Sequence, residues 1–288
     1  LKKGLKKIKK FPQRIIISDP DIEANYLELL YIFCKQNGFA IGKLPTISEI
    51  SNKDSDQFVA NPIVIEDVLG RKQNVNNPEI LKNIYNKVVL ITGAGGSIGS
   101  ELSRQIHKLK PKLLILVENN EFNLFQISST LKENIISSLT DIRDNFKMEE
   151  VLRNYKPDYI FHTAALKHIT FVETEPIEAL KTNFLATVRL CQLCKLLEIK
   201  NMIFISTDKA VYPSNIMGGS KRLCEKYIQR ISDKSSKTRF TIVRFGNVLG
   251  STGSVVPIFE KQIKIGGPIN ITHPGVKRFF MTIREAVE

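Results

Sequence analysis

Ser206, Thr207, Asp208 and Lys209 stand in a row at the end of an apolar run, and Met217 and Lys221 follow four positions apart. A hydroxyl pair, a carboxylate and an ammonium are groups that move and stabilise protons, and each positioned proton transfer contributes about 10²–10⁴-fold to a rate. Doubly wound sheets collect ligands at the carboxyl ends of their strands, and Lys221, on the next helix, faces the same crevice. Taken alone, Asp208 and Lys209 read equally well as a solvated surface pair. A second cluster upstream favours the chemical reading. Thr92-Gly93-Ala94-Gly95-Gly96-Ser97-Ile98-Gly99 follows an aliphatic run over 87–91 and precedes apolar residues at helical spacing over 101–109. Strand, glycine turn and helix in that order form the context of a dinucleotide phosphate loop. Gly93 would make the tight turn, Gly96 would let a pyrophosphate approach, and Gly99 would let the helix pack on the strand. The helix N-terminus adds N–H groups and positive potential. Gly95, Ser97 and Ile98 complete the expected cradle.

Glu118 lies 25 positions after Gly93 at the end of the second strand, where a carboxylate accepts hydrogen bonds from ribose hydroxyls. It would repel a 2′-phosphate, so NAD is expected rather than NADP. Asp141 and Ile142 follow the third strand and are placed near the adenine edge. His162-Thr163-Ala164-Ala165 ends the next strand with small residues that suit close passage of a dinucleotide. His162 and His168 lack a supporting carboxylate pattern, so both read as structural rather than as metal ligands.

The elements that must position these groups alternate regularly. Strands are expected over 87–91, 112–118, 135–139, 158–163, 201–207 and 239–245. Helices are expected over 101–109, 121–134 and 145–154, as one long helix over 176–197, and from 216. That alternation predicts a doubly wound parallel Rossmann sheet with helices on both faces. Before it, 14–18, 22–35 and 39–44 read as one β-α-β unit, too small to be stable alone. Residues 45–86, with Pro45, Pro62 and Pro78, read as a connector.

At 288 residues, 42% hydrophobic and 25% charged, the chain has the composition of a globular protein with a sizeable core. The net charge of +13 is uneven: Lys2, Lys3, Lys6, Lys7, Lys9, Lys10 and Arg14 supply +7 before Asp19. The mildly basic remainder argues against a nucleic-acid-binding face. Leu1, Leu5 and Ile8 fall on one side of a helix, so the arm reads either as a contact with an anionic membrane surface or as a solvated tail. No run of 18 apolar residues and no signal-peptide core occur, which points to the cytoplasm, with the arm offering contact with the inner membrane face. The four cysteines agree with a reducing compartment, and the lone Cys191-x-x-Cys194 lies inside a helical run without a second ligand pair. No metal site is expected.

Taken together, 92–99, Ala164-Ala165-Leu166-Lys167-His168, 206–211, 217–222, Arg244-Phe245-Gly246-Asn247-Val248-Leu249-Gly250-Ser251, Gly266-Gly267-Pro268, His273-Pro274 and Arg278-Phe279-Phe280-Met281-Thr282 make the chain resemble a known family. It resembles the nucleotide-sugar dehydratases of the extended short-chain dehydrogenase group, especially bacterial UDP-N-acetylglucosamine 4,6-dehydratases of polysaccharide synthesis. The resemblance covers everything from about residue 63. Most of the superfamily carries tyrosine four positions before the lysine; Met217 stands there, as in the long membrane-associated branch of these dehydratases. That branch implies an arm and preceding α/β remnant over 1–62, a linker over 63–86 and an NAD-binding dehydratase domain over 87–288. The sugar-binding lobe would begin near 246, and the family pattern implies truncation at both ends.

The resemblance further implies a homo-oligomer acting on a UDP-sugar. Hydride leaves C4 of the sugar for NAD, water is lost across C5 and C6, and the hydride returns at C6. Lys209 would be the C5 base and Asp208 the acid at the C6 hydroxyl. Lys221 would bind the nicotinamide ribose, and Thr207 would bond the C4 oxygen. Met217 cannot exchange a proton, so the group that deprotonates the C4 hydroxyl stays open, with Asp208, directly or through water, as the candidate. Ala164, Ala165, Lys167, Asn183 and Ser206 join the cofactor side. Lys167, His168, Asn247, Ser254, Thr272, His273 and Arg278 make up the substrate side, with Asn247 and Arg278 leading because arginine's planar fork suits a diphosphate. A 4-epimerase and a catalytically silent NAD-binding or partner-binding protein are the alternatives.

Overall fold

The computed structural model describes residues 14–19, 22, 24–36, 39–44, 61–62, 83–232, 237–251, 253–271 and 273–288. The basic arm, most of the linker and Thr272 lie outside these residues. The chain divides between Gln73 and Asn74 into two compact units.

In the first unit, β1 (Arg14–Ile17) and β2 (Ala40–Lys43) pair in parallel across α1 (Ala24–Gln36), and β3 (Asn61–Pro62) adds to β2 antiparallel. Ile17, Leu27, Leu30 and Cys34 form its small core.

The second unit holds β4 (Val88–Thr92), β5 (Leu113–Glu118), β6 (Ile135–Leu139), β7 (Tyr159–His162), β8 (Asn201–Thr207) and β9 (Arg239–Phe245). Among the described residues these six strands form one parallel sheet in the order β6-β5-β4-β7-β8-β9. The order grows outward from β4 in one direction and then restarts at β7 in the other. This is the doubly wound Rossmann arrangement, and its switch point lies between β4 and β7. The central strands β4 and β5 are unbroken apolar runs because helices cover both of their faces.

The helices are α2 (Ser97–Lys108), α3 (Glu121–Thr130), α4 (Asn145–Tyr155), α5 (Ile169–Thr174), α6 (Pro176–Ala179), α7 (Ala186–Leu196), α8 (Ile216–Ile231), α9 (Val255–Lys264) and α10 (Ile283–Val287). Alternate residues of β4 sort the core into two layers. Leu90 joins Val151 and Leu152 of α4, Leu190 of α7 and Ile228 of α8. Val89 and Ile91 join Leu102 and Ile106 of α2 and Leu124 and Ile127 of α3, with Val287 of α10 packed against them. Several helix starts are written locally: Asn120, Asp144 and Asn215 each accept a backbone N–H of the first turn, and Thr282 with Glu285 forms a capping box.

Two expectations needed correction. The helix from 121 ends at Thr130, where an extended Leu131 leads into the next connection. The single helix over 176–197 is interrupted by a π-helical stretch, Leu180–Leu185, between α6 and α7. Beyond β9, β10 (Asn247–Val248) and β11 (Phe280–Met281) pair in parallel and, like α5 and α10, are too short to carry a readable period, whereas the amphipathic α9 was not among the expected elements.

Candidate active site

The glycine loop is as tight as its spacing requires. Gly93 has φ +66°, and a Cβ there would lie 2.7 Å from Ala164 Cα. A Cβ on Gly95 would lie 2.5 Å from Asn123 Cβ, and one on Gly99 would collide with the Gly93 carbonyl. Gly96 caps α2 in an extended conformation with no side-chain bond, so the first turn, with Ser97 and Ile98, opens beside bare backbone. Glu118 is buried at the end of β5. Its Oε2 accepts Gly95 N–H at 3.0 Å, and its Oε1 accepts Asn119 and Asn120 N–H, both at 3.1 Å. A glycine cradle closed by a carboxylate at the second strand's end fits the adenosine half of a dinucleotide.

On the far side of the switch point, Thr163 Oγ1 donates to Thr92 O at 2.7 Å, Ala164 lies beside Gly93, and Ala165 follows it in the chain. Ile142 packs against the main core. Asp141 instead accepts a fork from Arg143, with Nε at 2.9 Å and Nη2 at 2.6 Å from Oδ2. The Arg143 bond outweighs partial burial and holds the Asp141 carboxyl below its ordinary value. Its position after β6 is as expected, but both oxygens already serve Arg143.

Asp208 and Lys209 form a 3-10 turn at the carboxyl end of β8, capped by Thr207. Thr207 Oγ1 donates to Asp208 Oδ1 at 2.9 Å. The Lys209 ammonium donates to the same oxygen at 3.1 Å and to Asn247 Oδ1 at 2.7 Å. Partial burial opposes the Asp208 charge, but the bonds from Lys209 and Thr207 prevail and lower its pKa. Its side chain is 46% exposed and that of Lys209 25%, so the pair faces outward with the ammonium on the inner side. Gly218 lets α8 approach this turn, because a Cβ there would lie 2.5 Å from Lys209 O.

α8 brings Met217 and Lys221 to the same end of the sheet. Met217 is buried against Val172 and Ala179. The Lys221 ammonium donates to Ile205 O at 2.8 Å and sits 4.5 Å from the Phe204 ring centroid. Burial pushes its pKa down to about 8, against the opposing influence of Cys224 and Glu225.

Two expected cofactor contacts point into the protein. Asn183 is buried, taking Leu166 N–H at 2.8 Å and donating to Leu166 O and Ser220 Oγ, each at 3.0 Å. Ser206 is buried and donates to Glu225 Oε1 at 2.7 Å. Both hydrogen-bond within the fold because an unsatisfied buried polar group costs about 1–3 kcal/mol. On the substrate side, Lys167 and His168 are exposed, and the His168 ring fills the space beside Gly253, which has φ +68°. Ser254 caps α9 with no side-chain bond, and its Oγ is buried without a hydrogen-bond partner. His273 Nδ1 accepts Gly275 N–H at 3.0 Å, and Arg278 is exposed and donates to Lys277 O. Arg278 still belongs to the segment that pairs with Asn247, since Phe280 is the register partner of Asn247. Cys191 and Cys194 are buried, and burial pushes the Cys194 thiol up to about 12.

Glu225 was not singled out in the sequence. It is fully buried and accepts Arg244 Nε at 2.7 Å and Nη2 at 2.5 Å, besides Ser206 and, at 3.3 Å, Arg222. Burial raises its pKa, and the bonds from Arg244, Ser206 and Arg222 more than reverse this. It follows Lys221 by four positions on one helix face, so an acid there at helical spacing was the available signal.

Residues 89–288 match the family described as polysaccharide biosynthesis protein. The chain belongs to that family. It is 38% identical over 287 residues to the capsular polysaccharide biosynthesis protein CapD of Staphylococcus aureus, which covers 97% of this chain and 48% of CapD. A UDP-glucose 4-epimerase of Rickettsia bellii is 35% identical over 213 residues, 70% of this chain and 61% of the epimerase. A UDP-N-acetylglucosamine 4,6-dehydratase (inverting) of Campylobacter jejuni is 33% identical over 207 residues, again 70% of this chain and 61% of the relative. The chain thus spans about half to three fifths of the length of these relatives. Dehydratases and epimerases of nucleotide sugars are therefore both among the family's relatives. Among the described residues no helix is long and apolar enough to cross a membrane, and no group of three His, Cys, Asp or Glu residues could hold a metal.

Proposed function

We propose that the chain catalyses 4,6-dehydration of a UDP-N-acetylhexosamine, with UDP-N-acetylglucosamine as the first candidate, for surface polysaccharide or glycan synthesis. The observation that carries this reading is the Asp208–Lys209 pair, held by Thr207 and Asn247. An elimination needs a base and an acid side by side, whereas an exchange of configuration at C4 does not. The glycine cradle and Glu118 would hold NAD, and NAD, when bound, supplies the acceptor for the C4 hydride and its donor to C6.

The chain's own residues would move the protons. Lys221 keeps positive charge near the C4 oxygen, and Thr207 hydrogen-bonds that oxygen. Asp208 accepts the C4 hydroxyl proton, directly or through water, and gives it to the C6 hydroxyl as that leaves as water. Lys209, in its neutral form, takes the C5 proton and later returns it to C5. Every proton is then accounted for, and the net change is loss of one water. Met217 contributes apolar surface rather than a proton.

The Rickettsia relative favours 4-epimerisation as the second reading. Both are tested by incubating the chain with NAD and UDP-N-acetylglucosamine in deuterated water. The proposed reaction yields a 4-keto-6-deoxy product carrying deuterium at C5. A C4 epimer without deuterium at C5 would establish the second reading, and recovery of unchanged substrate would overturn both.

A further inference from the structure

His162 ends β7 fully buried behind the glycine loop and takes no part in the proton transfers above. Its Nδ1 lies 2.7 Å from Thr92 Oγ1 on β4, and its Nε2 lies 2.9 Å from Thr187 Oγ1 on α7. The direction of these bonds follows from their neighbours. Thr187 Oγ1 donates to Asn183 O at 2.6 Å, so its one proton is engaged and it must accept from the imidazole. His162 is therefore protonated on Nε2. Its Nδ1 is an acceptor, and the Thr92 hydroxyl donates to it. Thr92 Oγ1 in turn accepts Ala164 N–H in a long bond of 3.4 Å. Burial, reinforced by the nearby Lys221 charge, pushes the imidazole pKa down to about 3, so the ring stays neutral.

The result is a one-way chain of buried bonds from Ala164 N–H through Thr92, His162 and Thr187 to the carbonyl of Asn183. Both ends hold the same short segment. At one end Thr163 and Ala164 bond Thr92; at the other the Asn183 side chain clamps Leu166 through N–H and carbonyl. Asn183 lies in the π-helical stretch, and its carbonyl accepts from Thr187 Oγ1 and from Cys224 Sγ. The clamped segment is the one that sets the space beside Gly93, where a Cβ would lie 2.8 Å from Ala164 N.

We infer that His162 is a positioning residue for the dinucleotide: as a single tautomer strung between Thr92 and Thr187, it fixes residues 163–166 against the glycine turn and so sets the crevice width. This rests on the cofactor assignment made above. The test compares NAD binding by calorimetry in the unsubstituted chain, Thr187→Val, His162→Phe, Thr187→Ser and the core variant Leu190→Ala. Long-range proton–nitrogen spectra of His162 accompany it.

Thr187→Val and His162→Phe should weaken NAD binding about tenfold or more, which corresponds to about 1.4 kcal/mol. Thr187→Ser keeps the hydroxyl and should restore binding to within about twofold, a change worth well under 1 kcal/mol. Leu190→Ala lowers thermal stability without touching the bonded chain and should leave NAD binding unchanged. The spectra should show a proton on Nε2. Unchanged affinity in Thr187→Val, equal weakening in Leu190→Ala, or a proton on Nδ1 would each overturn the inference. Failure of the unsubstituted chain to bind NAD would overturn the cofactor assignment itself, a result distinct from the others.

Discussion

Asn247 accepts the Lys209 ammonium at 2.7 Å, closer than Asp208 does at 3.1 Å, and so joins the end of β8 to the start of β10 across 38 residues of sequence. The contact depends on the turn at Gly246, where a Cβ would lie 3.1 Å from Phe279 O. A neutral amide offers Lys209 a partner that does not stabilise its charge as strongly as a second carboxylate would.

Replacing Lys209 by Ala should lower turnover of the UDP-sugar by at least about 100-fold, the lower end of a single proton-transfer contribution. Melting temperature and NAD affinity should stay at parental values, because the side chain lies at the mouth of the crevice rather than in the core. Lys209→Arg should not restore turnover, since guanidinium stays protonated and cannot take the C5 proton. Full turnover in either variant would remove Lys209 from the mechanism.

Lys221 gives opposite pH trends in activity and stability. Its native pKa of about 8 lies below the ordinary lysine value of 10.5. Between those values the unfolded chain binds the proton more than the native one, so this group's contribution to stability rises with pH. Below pH 8 the buried charge costs on the order of 3 kcal/mol. Turnover that needs the charge falls through the same window. Urea midpoints from pH 7.5 to 10 should therefore rise less steeply in Lys221→Met than in the parent, while parental kcat declines above pH 8. Parallel slopes in the two proteins would contradict the assignment.

Much of this fold was legible because the central strands β4 and β5 are continuous apolar runs and the outer strands are short apolar-rich stretches between helical ones. The strands at 201–207 and 239–245 match their expected bounds, and β4, β5 and β7 differ by a residue or two. The glycine turn was legible because backbone contacts at Gly93 and Gly99 exclude a side chain. Asn183 and Ser206 were expected at the cofactor from the resemblance, and their side chains bond Leu166, Ser220 and Glu225 within the fold, a choice of partner that residue type does not encode. The His162–Thr187 bond was invisible, and Glu225 could be marked by its spacing from Lys221 but not paired with Arg244, because both contacts join elements 19 to 25 residues apart, a relation that no local pattern encodes.

Glu225 should be worth more than its distance from the crevice suggests. It accepts Ser206 from β8 and Arg244 from β9 on the helix that carries Lys221. Glu225→Gln removes the charge of the buried partner and leaves the partly exposed Arg244 guanidinium with a weaker acceptor, so the fold should lose stability. Denaturant titration should show that loss, and double substitution with Arg244→Met should recover part of it. A strictly additive double variant would mean that the two residues do not act as a pair.

The glycines separate cradle from helix. Gly99→Ala places a methyl on the Gly93 carbonyl, so the turn must open, and NAD binding should fall by more than about tenfold, or 1.4 kcal/mol. Gly219, inside α8 and two residues from Lys221, has nothing within 4 Å of a Cβ. Alanine there should stabilise the fold by about 0.5–1 kcal/mol through helix propensity alone. Its effect on binding then reports what occupies that open space: unchanged NAD and UDP-sugar affinities place Gly219 away from both ligands. A loss confined to the UDP-sugar places the substrate against the first turn of α8, beside Met217. Destabilisation by Gly219→Ala would contradict the helix geometry.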